Sequence, residues 1–71
     1  MIVWVVTFEE ITNYSTLVGV YDSQEKARAA ALQYLRDHGV TDVDYDEDEI
    51  SEYWGDKYSD NAAIIERTRV V

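Results

Sequence analysis

The residues of this chain best suited to chemistry are the carboxylates between positions 37 and 60, where ten acidic side chains stand against a single lysine. Alternate positions in this stretch are occupied by Asp42, Asp44, Asp46 and Asp48. Like charges at such spacing repel one another, and the local sequence offers little to offset the repulsion. A folded chain tolerates such a surface where water solvates it or where a positively charged partner covers it.

Carboxylates at alternate positions also suggest a calcium-binding loop. A loop of the EF-hand type that begins at Asp42 requires glycine at its sixth position and a bidentate glutamate at its twelfth. Glu47 and Tyr53 stand at those positions, and a loop that begins at Asp44 fits no better. The sequence therefore predicts no specific metal site, and we expect no other cofactor.

Catalytic arrangements are not recognisable either. The chain has no cysteine and one histidine, and it contains neither a Ser–His–Asp pattern nor a glycine-rich phosphate loop. His38 is expected in the last turn of a helix, where a cation complements the helix dipole. Nothing in the sequence marks one of the carboxylates as buried against an aromatic ring, a setting that shifts the pKa of a catalytic acid. We therefore predict that the protein is not an enzyme.

Aromatic residues are interleaved with the carboxylates. Tyr53 and Trp54 are adjacent in the acidic region, and Trp and Tyr dominate binding hot spots, so this pair is a candidate for a protein interface. An equally weighted alternative is that the pair covers an edge or a face of a sheet. The candidate partner-binding residues are Asp42, Asp44, Asp46, Glu47, Asp48, Glu49, Glu52, Tyr53, Trp54 and Asp56.

Length and charge limit the classes of function. A chain of 71 residues forms one small domain, residues 1–71, and its 46% hydrophobic content is too high for a disordered acidic tail. The net charge of −9 argues against direct binding to nucleic acid or to an anionic membrane, and favours a basic protein surface as the partner. The lack of cysteine and of a visible signal peptide favours a cytoplasmic location.

The first half of the chain predicts a β-hairpin. Residues from Ile2 to Phe8 are β-branched or aromatic, and both faces of this segment are largely apolar, so it is expected to be a central strand. Asn and Ser in the stretch from Thr12 to Ser15 favour a turn. A second strand is predicted from Thr16 to Tyr21.

A helix is predicted next, from about Ser23 to His38. Asp22 and Glu25 have the spacing of a capping box, and Gly39 is suited to end the helix as a left-handed residue. Helical spacing places one set of residues on the face that packs on the sheet: Ala27, Ala30, Ala31, Tyr34 and Leu35. We expect Arg28 to lie on the solvent face, where a change to glutamate would cost little.

The second half predicts an acidic loop and two further strands. The segment from Thr41 to Glu49 is expected to be a loop with extended stretches, followed by a strand from Ile50 to Trp54. Gly55-Asp56 favours a turn, and residues from Ala62 to Val71 alternate as in a final strand. The predicted fold is α+β, in the order ββαββ, with a small antiparallel sheet and one helix packed on one face.

This fold carries two further expectations. One helix covers one face of the sheet, which leaves Val3 and Val5 on the other face, and exposed apolar residues of this kind mark interfaces. We therefore predict a homodimer. Arg67 and Arg69, on one face of the last strand, are expected to pair with carboxylates of a neighbouring strand.

The segment from Gly19 to Ala27, with the sequence GVYDSQEKA, follows an opening strand that contains Val3-Trp4-Val5-Val6. This combination resembles a group of small uncharacterised acidic proteins of bacteriophages and bacteria. The resemblance covers about two-fifths of the chain, and residues 52–71 fit the same pattern more loosely. It implies an origin in a phage or a mobile element and brings no catalytic residues.

These observations lead to two hypotheses of function. In an extended segment, alternate aspartates lie about 6.6 Å apart and can imitate the phosphates of a nucleic-acid strand. The protein would then be a phage-type inhibitor that presents carboxylates to a basic, nucleic-acid-binding site of a host defence protein, as in anti-CRISPR or anti-restriction activity, in the host cytoplasm. The alternative is a small self-associating structural or regulatory module whose acidity serves only solubility.

Overall fold

A computed structural model of the protein describes residues 1–10 and 14–71. Its elements are, in chain order, β1 (Ile2–Glu9), β2 (Ser15–Tyr21), α1 (Gln24–Asp37), β3 (Val43–Glu47), β4 (Ser51–Asp56) and β5 (Ala62–Arg69). The five strands form one antiparallel sheet in the order β2-β1-β5-β4-β3. The predicted α+β fold with one helix on an antiparallel sheet is confirmed. Part of the turn predicted between Thr12 and Ser15 lies outside the described residues.

The core lies between the helix and the internal strands. β1 is paired on both sides, with β2 and β5, as its two apolar faces predict. Val6 and Phe8 point toward the helix and are fully buried. The helix presents Ala27, Ala31 and Leu35 to them, and the two alanines allow the helix to approach the sheet closely. The predicted packing face of the helix is therefore confirmed.

The start of the helix differs from the prediction by one residue. The N-cap is Ser23, whose Oγ accepts a hydrogen bond of 3.2 Å from the backbone N–H of Lys26. Asp22 lies outside the helix and pairs instead with the Lys26 ammonium at 2.9 Å. Glu25 is then the second helical residue, one position too early for a capping box. The helix ends as predicted, because Gly39 has a φ of 77°, which is the left-handed conformation expected of the glycine that follows a helix.

The acidic segment contains a strand that the sequence analysis described as a loop with extended stretches. β3 forms the edge of the sheet and pairs with β4, from Val43 opposite Asp56 to Glu47 opposite Glu52. Gly55, predicted to lie in a turn, is inside β4, and the turn follows it at residues 57–60. The strand escapes recognition because most of its side chains on both faces are polar, which removes the apolar alternation that normally reveals a strand.

The helix covers only part of the sheet. It packs mainly on β1, β2 and β5, and it reaches the helix side of β4 through Gln24 and Arg28. We call the opposite side of the sheet the outer face. In the described part of the chain, no helix combines the length and the apolar character needed to cross a membrane.

Candidate functional site

The acidic row, defined as Asp42, Asp44, Asp46 and Asp48, runs along β3 at the edge of the sheet. Asp44 and Asp46 lie inside the strand and share the outer face, because they are two residues apart. Both are exposed. Asp42 precedes the strand and Asp48 follows it. The sequence analysis required an extended backbone for the row, and β3 provides it.

The ion pairs of the acidic row with described residues lie at one end of it. Lys57 Nζ lies 3.4 Å from Asp42 Oδ1 and 3.8 Å from Asp44 Oδ1. These contacts involve partly exposed side chains, and such pairs contribute little to stability. Asp46 and Asp48 form no ion pair with any residue that the structure describes. The two ion pairs of the acidic row therefore lie at its Asp42 end, and at the other end Arg67 lines the same cavity as Asp48 and Glu49.

Tyr53 adds an aromatic surface beside the acidic row. It is directly opposite Asp46 in the sheet register, and it is 43% exposed on the outer face. Its ring lies over Gly55, where a Cβ atom would fall 2.6 Å from the ring atom Cε1. The absence of a side chain at Gly55 thus lets the ring lie flat on the sheet.

The rest of the outer face is largely apolar. Val3 and Val5 of β1 and Ile64 of β5 are half-buried there, while Leu17 and Val20 of β2 are 63% and 55% exposed. The register places these side chains between the β2 edge and Tyr53, and the helix packs on the opposite side of the sheet, against Val6 and Phe8. Apolar and acidic surfaces therefore adjoin on one open face.

The helix side of β3 and β4 contains a buried carboxylate that the sequence analysis missed. Glu52 is only 5% exposed. Arg28 Nε donates to its Oε1 at 2.7 Å, and Gln24 Nε2 donates to its Oε2 at 2.9 Å. The Tyr45 hydroxyl lies 2.9 Å from the same Oε1. The expectation that Arg28 lies free on the solvent face is therefore wrong, and we now expect its change to glutamate to be costly, because it would place a second carboxylate beside Glu52.

These contacts determine the ionisation of the cluster. Burial raises the pKa of Glu52, but the hydrogen bonds from Gln24, Arg28 and Tyr45 outweigh it and hold the pKa below its ordinary value. The Tyr45 hydroxyl also lies 2.9 Å from Glu47 Oε2, and its one proton serves one carboxylate at a time. Burial and these two carboxylates raise the pKa of Tyr45 to about 12.

The two adjacent aromatic residues face opposite sides of the sheet. Trp54 is half-buried against the core and packs on Tyr45, with ring centroids 4.5 Å apart. Its Nε1 is buried without a hydrogen-bond partner in the described residues. Of the two alternatives for the pair, sheet coverage describes Trp54, whereas Tyr53 is available to a partner.

The remaining predicted site residues are dispersed. Glu47 lies on the helix side with Tyr45, and Glu49 is exposed in the β3–β4 turn. Asp56 ends β4, where its carboxylate accepts from Tyr58 N at 3.0 Å and Ser59 Oγ at 2.9 Å, which organises the next turn. The structure therefore groups the acidic row with Tyr53 and separates Glu52 and Trp54 from them.

The two arginines of β5 do not pair as predicted. Across β1 they lie opposite Trp4 and Ile2, which offer no carboxylate. Arg67 and Arg69 form no ion pair with any described residue. With Met1, Ile2 and Ile50 they line an open groove of about 570 Å³ on the helix side of the sheet.

Comparison with known proteins assigns no function to this site. Comparison of the chain with protein-family models, with curated proteins and with solved structures gives no match. The resemblance to small phage and bacterial proteins therefore stays a prediction. Among the described residues, no group of three or more His, Asp and Glu side chains is arranged to hold a metal ion.

Proposed function

We propose that the protein is a non-enzymatic binding protein whose acidic row docks on a basic surface of another protein. The observation that carries this proposal is the exposure of Asp44 and Asp46 side by side on an edge strand, where the ion pairs with described residues are those of Lys57 with Asp42 and Asp44 and leave Asp46 unpaired. Such a surface attracts a basic partner over distances of about 10 Å at moderate ionic strength.

The strand geometry favours a nucleic-acid-binding groove as the basic surface. Alternate residues of β3 are spaced about 6.6 Å apart along the strand, which is comparable to the through-space spacing of phosphates in one nucleic-acid strand. An edge strand can enter a groove that a flat sheet face cannot. We therefore propose inhibition of a host defence protein, such as a CRISPR effector or a restriction nuclease, by occupation of its nucleic-acid channel in the host cytoplasm.

Tyr53 supplies the short-range part of the proposed interface. Charge attraction mainly accelerates association, whereas desolvated aromatic contacts mainly slow dissociation. The Tyr53 ring lies on the outer face directly beside Asp46. It is therefore placed to stack on a basic side chain of a partner that the acidic row has attracted.

The experiment is competition with nucleic acid. The immobilised protein is exposed to bacterial lysate at low salt, and each captured protein is purified and tested for binding to duplex DNA with and without the inhibitor. The proposal expects a captured protein whose DNA binding at low salt is displaced stoichiometrically, and whose capture by the immobilised protein is reversed at high salt. Captured proteins that bind DNA equally well in the presence of the inhibitor would contradict nucleic-acid mimicry.

The open outer face favours a second candidate function. Val3, Val5 and Ile64 are only half-buried, and the helix packs on the opposite side of the sheet. A self-associating structural or regulatory module would use such a face, and its acidity would then serve solubility. Salt distinguishes the two functions, because an apolar contact persists at high ionic strength and binding through the acidic row does not.

A further inference from the structure

The two edges of the sheet differ sharply in charge. β3, at one edge, has three carboxylates among its five residues. β2, at the other edge, is seven residues long and contains no charged residue and no proline. Natural edge strands are commonly protected by lysine, proline, a β-bulge, inward-pointing charge or a covering element, because their unpaired N–H and C=O groups bind other strands. β2 has one such protection, a β-bulge at Val18 between the register pairs Thr7–Leu17 and Val6–Gly19.

The side chains of β2 are also suited to contact. Leu17 and Val20 are more than half exposed, and Tyr14, immediately before the strand, is 70% exposed. Apolar pairs across a seam between strands add to the backbone hydrogen bonds. The strand contains no carboxylate, and Asp22, which follows it, is paired with Lys26, so this edge offers little to attract a basic partner.

The distribution of charge over the sheet favours a second copy of the chain as the partner that pairs with this edge. The net charge of −9 opposes most contacts between two copies. Sheet order places β1, β5 and β4 between β2 and the acidic strand β3. Contact through β2 therefore keeps the two acidic edges as far apart as the fold permits, whereas face-to-face packing brings the carboxylates of the outer faces together.

We propose that β2 of one protomer pairs with β2 of a second protomer in antiparallel orientation, so that two sheets become one continuous ten-stranded sheet. The contact is isologous, which closes the assembly at a dimer. It is independent of the basic partner, because it uses the opposite edge of the sheet. It also replaces the outer face around Val3 and Val5 as the dimer surface expected from the sequence.

This dimer places the acidic rows at its two ends. Nine strand spacings of about 4.8 Å separate the two β3 strands, which gives a distance of about 43 Å before twist is taken into account. The outer faces remain open and continuous across the seam. A partner with two basic grooves, or two partner molecules, can then be bound at the same time.

Two measurements test the proposal together. Sedimentation equilibrium over micromolar to millimolar concentration gives the association constant of the wild type, of Thr16→Lys and of Thr68→Lys. Both substitutions remove one unit of net negative charge at an exposed threonine, but Thr16 lies in β2 on the helix side and Thr68 lies in β5 on the outer face. Hydrogen exchange of the β2 amides is followed over the same concentrations.

Edge pairing predicts a dimer, slower exchange of β2 amides at high protein concentration, and at least a tenfold weaker association for Thr16→Lys, with Thr68→Lys close to the wild type. A protein that stays monomeric up to millimolar concentration would overturn the proposal. A dimer that Thr68→Lys weakens as much as Thr16→Lys, with unchanged exchange in β2, would overturn it in favour of packing through the outer face.

Discussion

Arg28 and Glu52 form an ion pair of 2.7 Å between the helix and β4. The Glu52 side chain is 6% exposed and the Arg28 side chain is 40% exposed, so the carboxylate is desolvated while the guanidinium still reaches water. The main packing of the helix is on β1, β2 and β5. This pair therefore ties the helix to the acidic half of the sheet, where hydrophobic contacts are few.

Removal of the buried carboxylate tests this link. We expect Glu52→Ala to lower the free energy of unfolding by about 2 kcal/mol, because hydrogen bonds to a charged group are lost, Gln24 loses its acceptor and Arg28 loses its ion-pair partner. Urea denaturation measures the change. Glu66→Ala, at an exposed position of the adjacent strand, is the matched control and should change stability by less than about 0.5 kcal/mol. Equal effects for the two variants would show that the cluster contributes nothing specific.

The lowered pKa of Glu52 gives stability a defined pH dependence. The unfolded chain binds a proton at Glu52 at higher pH than the folded chain does, so the contribution of Glu52 is complete above about pH 5 and is lost as the pH falls through the folded pKa. The stability difference between the wild type and Glu52→Gln should therefore shrink as the pH is lowered from 6 to 3. Denaturation at several pH values measures it, and a constant difference would contradict the assignment.

Close packing of the helix predicts strong dependence on the side chain at Ala31. Ala31 is fully buried, and Ala29, two residues away, is exposed. Ala31→Glu places an unpaired carboxylate in the core, and we expect the melting temperature to fall by more than about 10 °C. Ala29→Glu, the same change on the solvent face, should shift it by no more than about 3 °C. Similar melting temperatures for the two variants would place the packing face of the helix elsewhere.

The opposite orientations of Tyr53 and Trp54 predict different defects. Trp54→Ala removes a ring that packs on the core and should destabilise the fold by about 3 kcal/mol. Tyr53→Ala should leave the melting temperature nearly unchanged and should increase the dissociation rate of a bound partner. Thermal melts and surface plasmon resonance separate these effects. A Tyr53→Ala variant that unfolds easily but dissociates at the wild-type rate would remove Tyr53 from the proposed interface.

The sequence predicts the elements whose pattern of side chains is unambiguous. The apolar strand β1, the packing face of the helix and the role of Gly39 follow from periodicity and backbone preference, and all three agree with the structure. β3 is not predicted as a strand because its exposed edge position allows charges on both faces. Local sequence contains too little information for such a strand, which forms because β4 offers it a partner.

The sequence likewise predicts one part of the candidate site and not the other. The alternation of aspartates is visible in the sequence, and β3 places Asp44 and Asp46 on one face of the sheet. The burial of Glu52 is not visible, since its partners Gln24 and Arg28 are 28 and 24 residues away in sequence. Residues two apart in a strand lie on the same face of the sheet. Glu52 is two residues from the apolar Trp54, and this spacing is the signal in the sequence that indicates an inward-facing carboxylate.

The central claim is that the acidic row, and not the net charge, binds the partner. Its most direct test compares two variants that each lose four negative charges. In the first, Asp42, Asp44, Asp46 and Asp48 are all changed to Asn. In the second, the exposed residues Glu9, Glu10, Glu25 and Asp37, which lie in or next to β1 and α1, are changed to the corresponding amides.

The association rate of each variant with a basic protein captured by the wild type is measured by surface plasmon resonance at low and high salt. We predict that the row variant keeps its fold, associates at least about ten times more slowly at low salt and loses most of its salt dependence, while the control variant stays close to the wild type. A row variant that binds with wild-type affinity at low salt would contradict the account and would leave the acidic strand with a solubilising role.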